Sequence, residues 1–208
     1  MSNYQLCGEA VSKNFGRRLI FQNLNFRFTG SGVYGISGPN GAGKSTLIKI
    51  IAGVNSPSAG KIIHKIGDKV IIPEKLHNLI GFISPYLVLY EEFSAWENLE
   101  FFARIRNIKF DKEKAASLLG DFLLYDRKDD QVRTYSSGMK QRMKFIFALM
   151  HSPELLLLDE PTSNLDDEGK NTVYKMIERV SSERIVIIAS NERTDIALCT
   201  ETIMLAKF

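Results

Sequence analysis

Apolar positions recur first at intervals near two, then at three and four, then in short unbroken runs, and that succession lays out the chain. Tyr4 and Leu6, followed by Leu19, Phe21, Leu24, Phe26 and Phe28, predict β-strands over residues 4–28, broken by a turn around Asn14 and Gly16. Val33, Tyr34 and Ile36 read as a further strand, and Leu47, Ile48, Ile50 and Ile51 as one face of a helix. Asn55, Pro57 and Gly60 punctuate a loop, and Lys61 to Ile72 then predicts a short hairpin turning at Gly67–Asp68. From about Phe93 to Leu124 the period is helical, with Leu99, Phe102 and Ile105 on one face and Ala115, Leu118, Leu119, Phe122 and Leu123 on another. Leu155–Leu158, Ile185–Ile188 and Ile203–Leu205 are strand-length runs, and Met176, Ile177 and Val180 close a helix between the first two. Strands alternating with helices predict an α/β fold with a mostly parallel sheet, and a helical insert ahead of Leu155.

Composition narrows the class without naming a chemistry. The 208 residues suit one domain with a full core, and a net charge of +3 is too balanced for a nucleic-acid footprint, so no nucleic-acid partner is expected. No apolar run approaches the roughly 18 residues of a membrane span. The N-terminus lacks the basic-then-apolar order of a signal peptide, which predicts a cytoplasmic protein. Cys7 and Cys199 have no redox or metal spacing and read as reduced packing residues. His64, His77 and His151 have no metal-ligand spacing and read as structural or exposed. The chain stops after its last predicted strand, so no regulatory tail domain is expected.

Between the strand at Val33 and the helix at Leu47 lies GPNGAGKST, Gly38 to Thr46. A glycine loop in that strand-to-helix context is what the pattern G-x-x-x-x-G-K-[ST] requires. Gly38, Gly41 and Gly43 let backbone N–H groups of the loop turn inward and approach phosphate oxygens, Pro39, Asn40, Ala42 and Thr46 complete the nucleotide-binding stretch, and the helix adds its positive end. Lys44 supplies a point charge to the β- and γ-phosphates, and Ser45 an oxygen ligand for Mg²⁺. The ligand read from this loop is ATP or GTP.

The run Leu155–Leu158 ends in Asp159 and Glu160. At the carboxyl end of a parallel strand these face the crevice where nucleotides sit, Asp159 toward Mg²⁺ and Glu160 toward the attacking water. A plain acidic turn before Pro161 is the bland alternative, and the neighbouring P-loop weighs against it. Upstream, Ser136, Ser137 and Gly138 in YSSGMKQR can cap the helix that runs through Met143, Phe147 and Met150, and such a terminus is an anion site. A helix cap alone is again the default, and the position ahead of Asp159 is what singles it out.

Through these motifs the chain resembles the ATP-binding subunit of ABC transporters, nearly end to end. GPNGAGKST matches Walker A, YSSGM is similar to the LSGGQ signature in a divergent form, LLLLDEP matches Walker B with its catalytic glutamate, and SNLD, Ser163 to Asp166, matches the D-loop. The resemblance implies a P-loop core with an N-terminal antiparallel β subdomain, a helical subdomain over about 86–150, and one ATP-binding domain over residues 1–208. It implies ATP and Mg²⁺ as cofactors, catalytic roles for Lys44, Glu160 and Asn191, and nucleotide contacts from Ser136, Ser137, Gly138 and Asp166. Phe15 stands where the family stacks an aromatic on adenine, or else is a strand-end core residue. The partners implied are a second ATP-binding subunit, packed head to tail, and an integral membrane permease at the inner face of the cell membrane. Leu89 to Arg106 is similar to the helical part of exporter-type members, or equally a solvated face.

Two departures from the family stand out. Its glutamine after the strand beginning at Ile80 is replaced by Pro85, which offers neither a side-chain hydrogen bond nor an N–H; Ser84, Tyr86 or a water is the available substitute. The histidine after the strand Ile185–Ile188 is replaced by Asn191, which donates an amide hydrogen bond but takes up no proton. Register slips do not rescue either, since glutamine occurs only at 5, 22, 131 and 141 and no histidine follows His151. An ATPase driving an exporter is therefore expected, with two alternatives: an ATP-dependent clamp of slow or no turnover, and a soluble ABC-type ATPase without a membrane partner.

Overall fold

The computed structural model describes residues 3–207. Among the described residues the strands form two sheets. β1 (Tyr4–Phe15), β2 (Arg18–Thr29), β4 (Ala59–Ile66) and β5 (Lys69–Val70) make an antiparallel sheet in the order β2-β1-β4-β5. β3 (Gly32–Ser37), β6 (Ile80–Ile83), β7 (Leu155–Asp159), β8 (Ile185–Ala189) and β9 (Glu201–Met204) make a wholly parallel sheet in the order β6-β7-β8-β3-β9. This is the predicted α/β architecture with its antiparallel N-terminal part.

The parallel strands are covered on both faces, and their composition follows from that. β7 and β8 are buried at every position, which is why Leu155–Leu158 and Ile185–Ile188 are unbroken rather than alternating. One hydrophobic cluster lies between this sheet, the antiparallel sheet and α1 (Lys44–Ile51), with Phe21, Phe28, Ile36, Leu47 and Leu157 fully buried in it. A second packs the other face against α3 (Ala95–Ile105), α4 (Lys112–Asp121), α5 (Ser137–Leu149) and α6 (Asp167–Ser181), around Leu99, Phe122, Phe145 and Ile146. α3 begins in a capping box in which Ser94 accepts from the Glu97 N–H and the Glu97 carboxylate accepts from the Ser94 N–H.

Two short helices go beyond the sequence reading: α2 (Pro73–Leu79), which starts at a proline in its first turn, and α7 (Arg193–Ile196). The last strand begins at Glu201, two positions before the predicted start. His64 is buried and faces the Tyr4 hydroxyl at 2.7 Å from Nδ1. Cys7 and Cys199 are half-buried free thiols.

Candidate nucleotide-binding site

Strand register brings the pieces together. Ile36 of β3 pairs with Ala189 of β8, and Ala189 pairs with Asp159 of β7, so the P-loop, the paired carboxylates and the turn carrying Asn191 leave one edge at one level. From Ser37 the chain turns through Gly38 to Gly43 into α1, with the Ala42 N–H donating to the Pro39 carbonyl at 3.1 Å. Gly43 has φ 100°, and a Cβ there would stand 2.4 Å from Cγ2 of Ile20, so both backbone and space exclude a side chain. As N-cap it offers no side-chain acceptor, and no acidic residue lies in the first turn of α1. The first amides of that helix are therefore left to an anion.

Lys44 is buried, and its ammonium donates to the Gly38 carbonyl at 3.0 Å while standing 3.9 Å from Oε1 of Glu160. Ser45 Oγ donates to Oδ1 of Asp159 at 2.9 Å, closing the gap between two residues far apart in sequence. Asp159 is fully buried and its Oδ2 has no hydrogen-bond partner. Burial pushes the Asp159 carboxyl above the usual carboxylate range, opposed by the Ser45 hydroxyl and by Lys49 and Lys44. Glu160 is raised for the same first reason, with Lys44 opposing and Asp159, Asp195 and Glu192 adding to the rise. Its backbone sits at φ 53°, a strained region for a glutamate, with its N–H donating to the Ala189 carbonyl at 2.9 Å.

These residues fit Mg²⁺ in the manner that ion prefers. Among the described residues no group of three or more His, Cys, Asp or Glu side chains could hold a metal. The Asp159 carboxylate with one oxygen to spare, beside the Ser45 hydroxyl, is what remains. Mg²⁺ is bound in this way, through one or two carboxylates with phosphates and water completing the octahedron.

The remaining predicted residues fall into separate places. Asn191 lies exposed in the turn after β8, its Nδ2 donating to Oδ1 of Asn40 at the P-loop tip at 3.1 Å. Phe15 ends β1 with 53% of its surface exposed and Lys13 Nζ 4.8 Å from its ring centre, which corrects the strand-end core reading: no core packs over it. Ser136 N-caps α5, accepting from the Met139 N–H at 3.2 Å, and Ser136 and Ser137 are exposed. A Cβ on Gly138 would lie 3.5 Å from the Asn164 carbonyl, so the signature turn sits against the D-loop. Asp166 N-caps α6, accepting from the Gly169 N–H at 2.9 Å. Among the described residues no hydrogen bond or ion pair joins Ser136, Ser137, Gly138 or Asp166 to the P-loop.

Sequence reasoning missed the residues that brace this arrangement. Gln141 Nε2 donates to the Pro161 carbonyl at 3.1 Å, tying α5 to the end of the Walker B strand. Buried Asp195 accepts from Thr162 Oγ1 at 3.0 and 3.1 Å and from the Tyr174 hydroxyl at 2.9 Å. Lys49 was the legible one, four residues after Ser45 and so on the same helix face.

A glycine loop feeding a helix beside a strand that ends in buried carboxylates defines a P-loop nucleotide-binding protein. Residues 21–163 match the family described as ABC transporter, and the chain belongs to that family, which makes its nucleotide ATP. It is 34% identical over 187 residues to the linearmycin resistance ATP-binding protein LnrL of Bacillus subtilis, covering 88% of this chain and 60% of that one. To the lantibiotic transport ATP-binding protein SrtF of Streptococcus pyogenes it is 34% identical over 181 residues, covering 87% of this chain and 77% of that one. A putative ABC transporter ATP-binding protein from Pyrococcus furiosus superposes with a TM-score of 0.83 at 25% identity over 97% of each chain. The chain thus spans less than two thirds of LnrL's length. No helix among the described residues is long and apolar enough to cross a membrane.

Proposed function

We propose that residues 1–208 act as one ATP-hydrolysing domain, with about 86–150 as its helical part, that powers a membrane transporter of exporter type. The observation that carries this reading is the Ser45–Asp159 hydrogen bond at 2.9 Å with Glu160 3.9 Å from the Lys44 ammonium, which assembles phosphate, metal and water positions at one sheet edge. Gly38 to Thr46 hold the phosphates of ATP, Phe15 stacks on the adenine, and Ser45 and Asp159 hold Mg²⁺. When bound, the ion neutralises charge building on the β- and γ-phosphates. Glu160, raised in pKa by burial first and by Asp159 after it, accepts a proton from the attacking water, and Asn191 donates to the terminal phosphate.

Among the described residues no hydrogen bond or ion pair joins Ser136, Ser137, Gly138 or Asp166 to the P-loop of the same chain, which favours their use across a head-to-tail pair with a second ATP-binding subunit. A cavity of about 350 Å³, lined among others by Leu87, Val88, Tyr90, Phe101, Ile105 and His151, supports docking of a permease on the helical part, at the inner face of the cell membrane. The relatives' names support a transport role: one is a linearmycin resistance ATP-binding protein, the other a lantibiotic transport ATP-binding protein.

Phosphate release by the purified protein is the test. Wild type is expected to exceed Glu160→Gln by about 10²-fold or more, and Asn191→His to raise turnover severalfold. A wild type no faster than Glu160→Gln replaces this reading with the ATP-dependent clamp, which the Pro85 and Asn191 replacements favour. Co-purification without any integral membrane protein favours the soluble ATPase instead.

A further inference from the structure

The turn that follows β6 lacks the side-chain amide its position usually carries, yet it is held on two sides. Ile83 pairs with Leu158, so Ser84 leaves the sheet beside Asp159. Ser84 is buried, its Oγ accepts from the Tyr86 N–H at 3.2 Å, and its carbonyl accepts from the Leu87 N–H at 3.1 Å. From one side comes Lys144 of α5, whose ammonium donates to the Pro85 carbonyl at 3.0 Å and the Ser84 carbonyl at 3.4 Å. From the other side comes Lys49 of α1, 4.8 Å from the centre of the Tyr86 ring. Tyr86 is 75% exposed, so packing does not hold that ring; the lysine does.

The two lysines stand on helices with different jobs. Lys49 lies one turn beyond Ser45, which bonds Asp159. Lys144 lies on the helix that Ser136 caps, and half-burial lowers its pKa. Leu87 and Val88, the next residues of the turn, line the apolar cavity beside α3. A shift of α5, or a body seated in that cavity, therefore reaches the edge of the sheet through backbone carbonyls held by an ammonium.

We infer that Lys144 is a positioning residue: opposed by Lys49, it clamps the Ser84–Tyr86 turn against the Asp159 end of the sheet and couples α5 to the phosphate site. The inference rests on the reading that this chain turns over ATP. The experiment measures amide exchange at Tyr86 and Leu87 in nucleotide-free full-length protein, then kcat and KM for ATP, in wild type, Lys144→Met, Lys144→Arg and Lys49→Met. In Lys144→Met exchange is expected to rise about tenfold, the scale of one lost charge-assisted hydrogen bond, and kcat to fall by a similar factor with KM unchanged. Lys144→Arg restores both, and Lys49→Met raises exchange at Tyr86. Should Lys144→Met not fold, Lys144→Gln is read in its place.

Exchange within about twofold of wild type overturns the clamp, whatever the wild type hydrolyses. A rise in exchange with kcat unchanged overturns the positioning role. A rise in exchange in a protein whose wild type releases no phosphate leaves the clamp standing and removes the ATPase reading.

Discussion

Asn191 Nδ2 donates to Asn40 Oδ1 at 3.1 Å, so the turn after β8 rests on the tip of the P-loop. The neutral amide stands at the P-loop tip as a hydrogen-bond donor, and on the proposed reading its polarity rather than its proton affinity is what matters there. Asn191→Asp reverses the polarity toward the phosphates without changing size. It is expected to weaken MgATP binding about tenfold, near 1.4 kcal/mol, in a fluorescent-nucleotide titration.

Ser45 joins the P-loop helix to the Walker B strand through a single hydroxyl. In Ser45→Ala Oδ1 of Asp159 loses its donor and joins Oδ2 in having none in a fully buried position, which is expected to cost about 1–3 kcal/mol of stability in a urea unfolding curve. The Mg²⁺ concentration that half-saturates phosphate release is expected to rise about 10–100-fold, the scale for losing a group that orients a metal ligand.

Phe15 contributes little to the fold because half its ring faces water. Phe15→Ala is expected to leave the melting temperature unchanged and to weaken ATP about tenfold, within the ~1–3 kcal/mol of a base-on-aromatic stack. Phe15→Trp keeps the stack and the affinity. Equal affinity in all three, by calorimetric titration, removes the adenine contact.

His64 links pH to stability. Burial lowers its pKa from 6.5 to about 4, with the Ile51 carbonyl opposing. The unfolded chain takes up a proton that the folded chain refuses between those values, so stability is full above pH 6.5 and falls as pH drops toward 4. The loss is on the order of 3 kcal/mol at most. His64→Gln, which keeps an acceptor for the Tyr4 hydroxyl, is expected to flatten that slope in chemical denaturation at pH 7 and pH 4.5.

The legible parts of this protein are those in which one short segment carries its own chemistry. GPNGAGKST announces a loop and a helix start, and LLLLDE announces a strand and its carboxylates, because backbone and side-chain requirements coincide within a few residues. The pairing of Ile36 with Ala189 and of Ala189 with Asp159 is different in kind, since it depends on crossovers that set the order β6-β7-β8-β3-β9. Contacts such as Gln141 to Pro161 and Lys144 to Pro85 join segments with no local signature, and only the packed fold reveals them. The α2 helix did carry a signal, Pro73 at its first position, which the hairpin reading of Lys61–Ile72 stopped just short of using.

Glu160 occupies a backbone conformation that suits glycine, at φ 53°. A Glu160→Gly variant is expected to melt at a higher temperature than wild type, by about 1 kcal/mol or more of relieved strain, while releasing no phosphate. Folding and turnover then place opposite demands on one position. On the proposed reading the carboxylate marks where this chain gives up robustness for chemistry, and lineages released from the need to hydrolyse ATP would be free to lose it first.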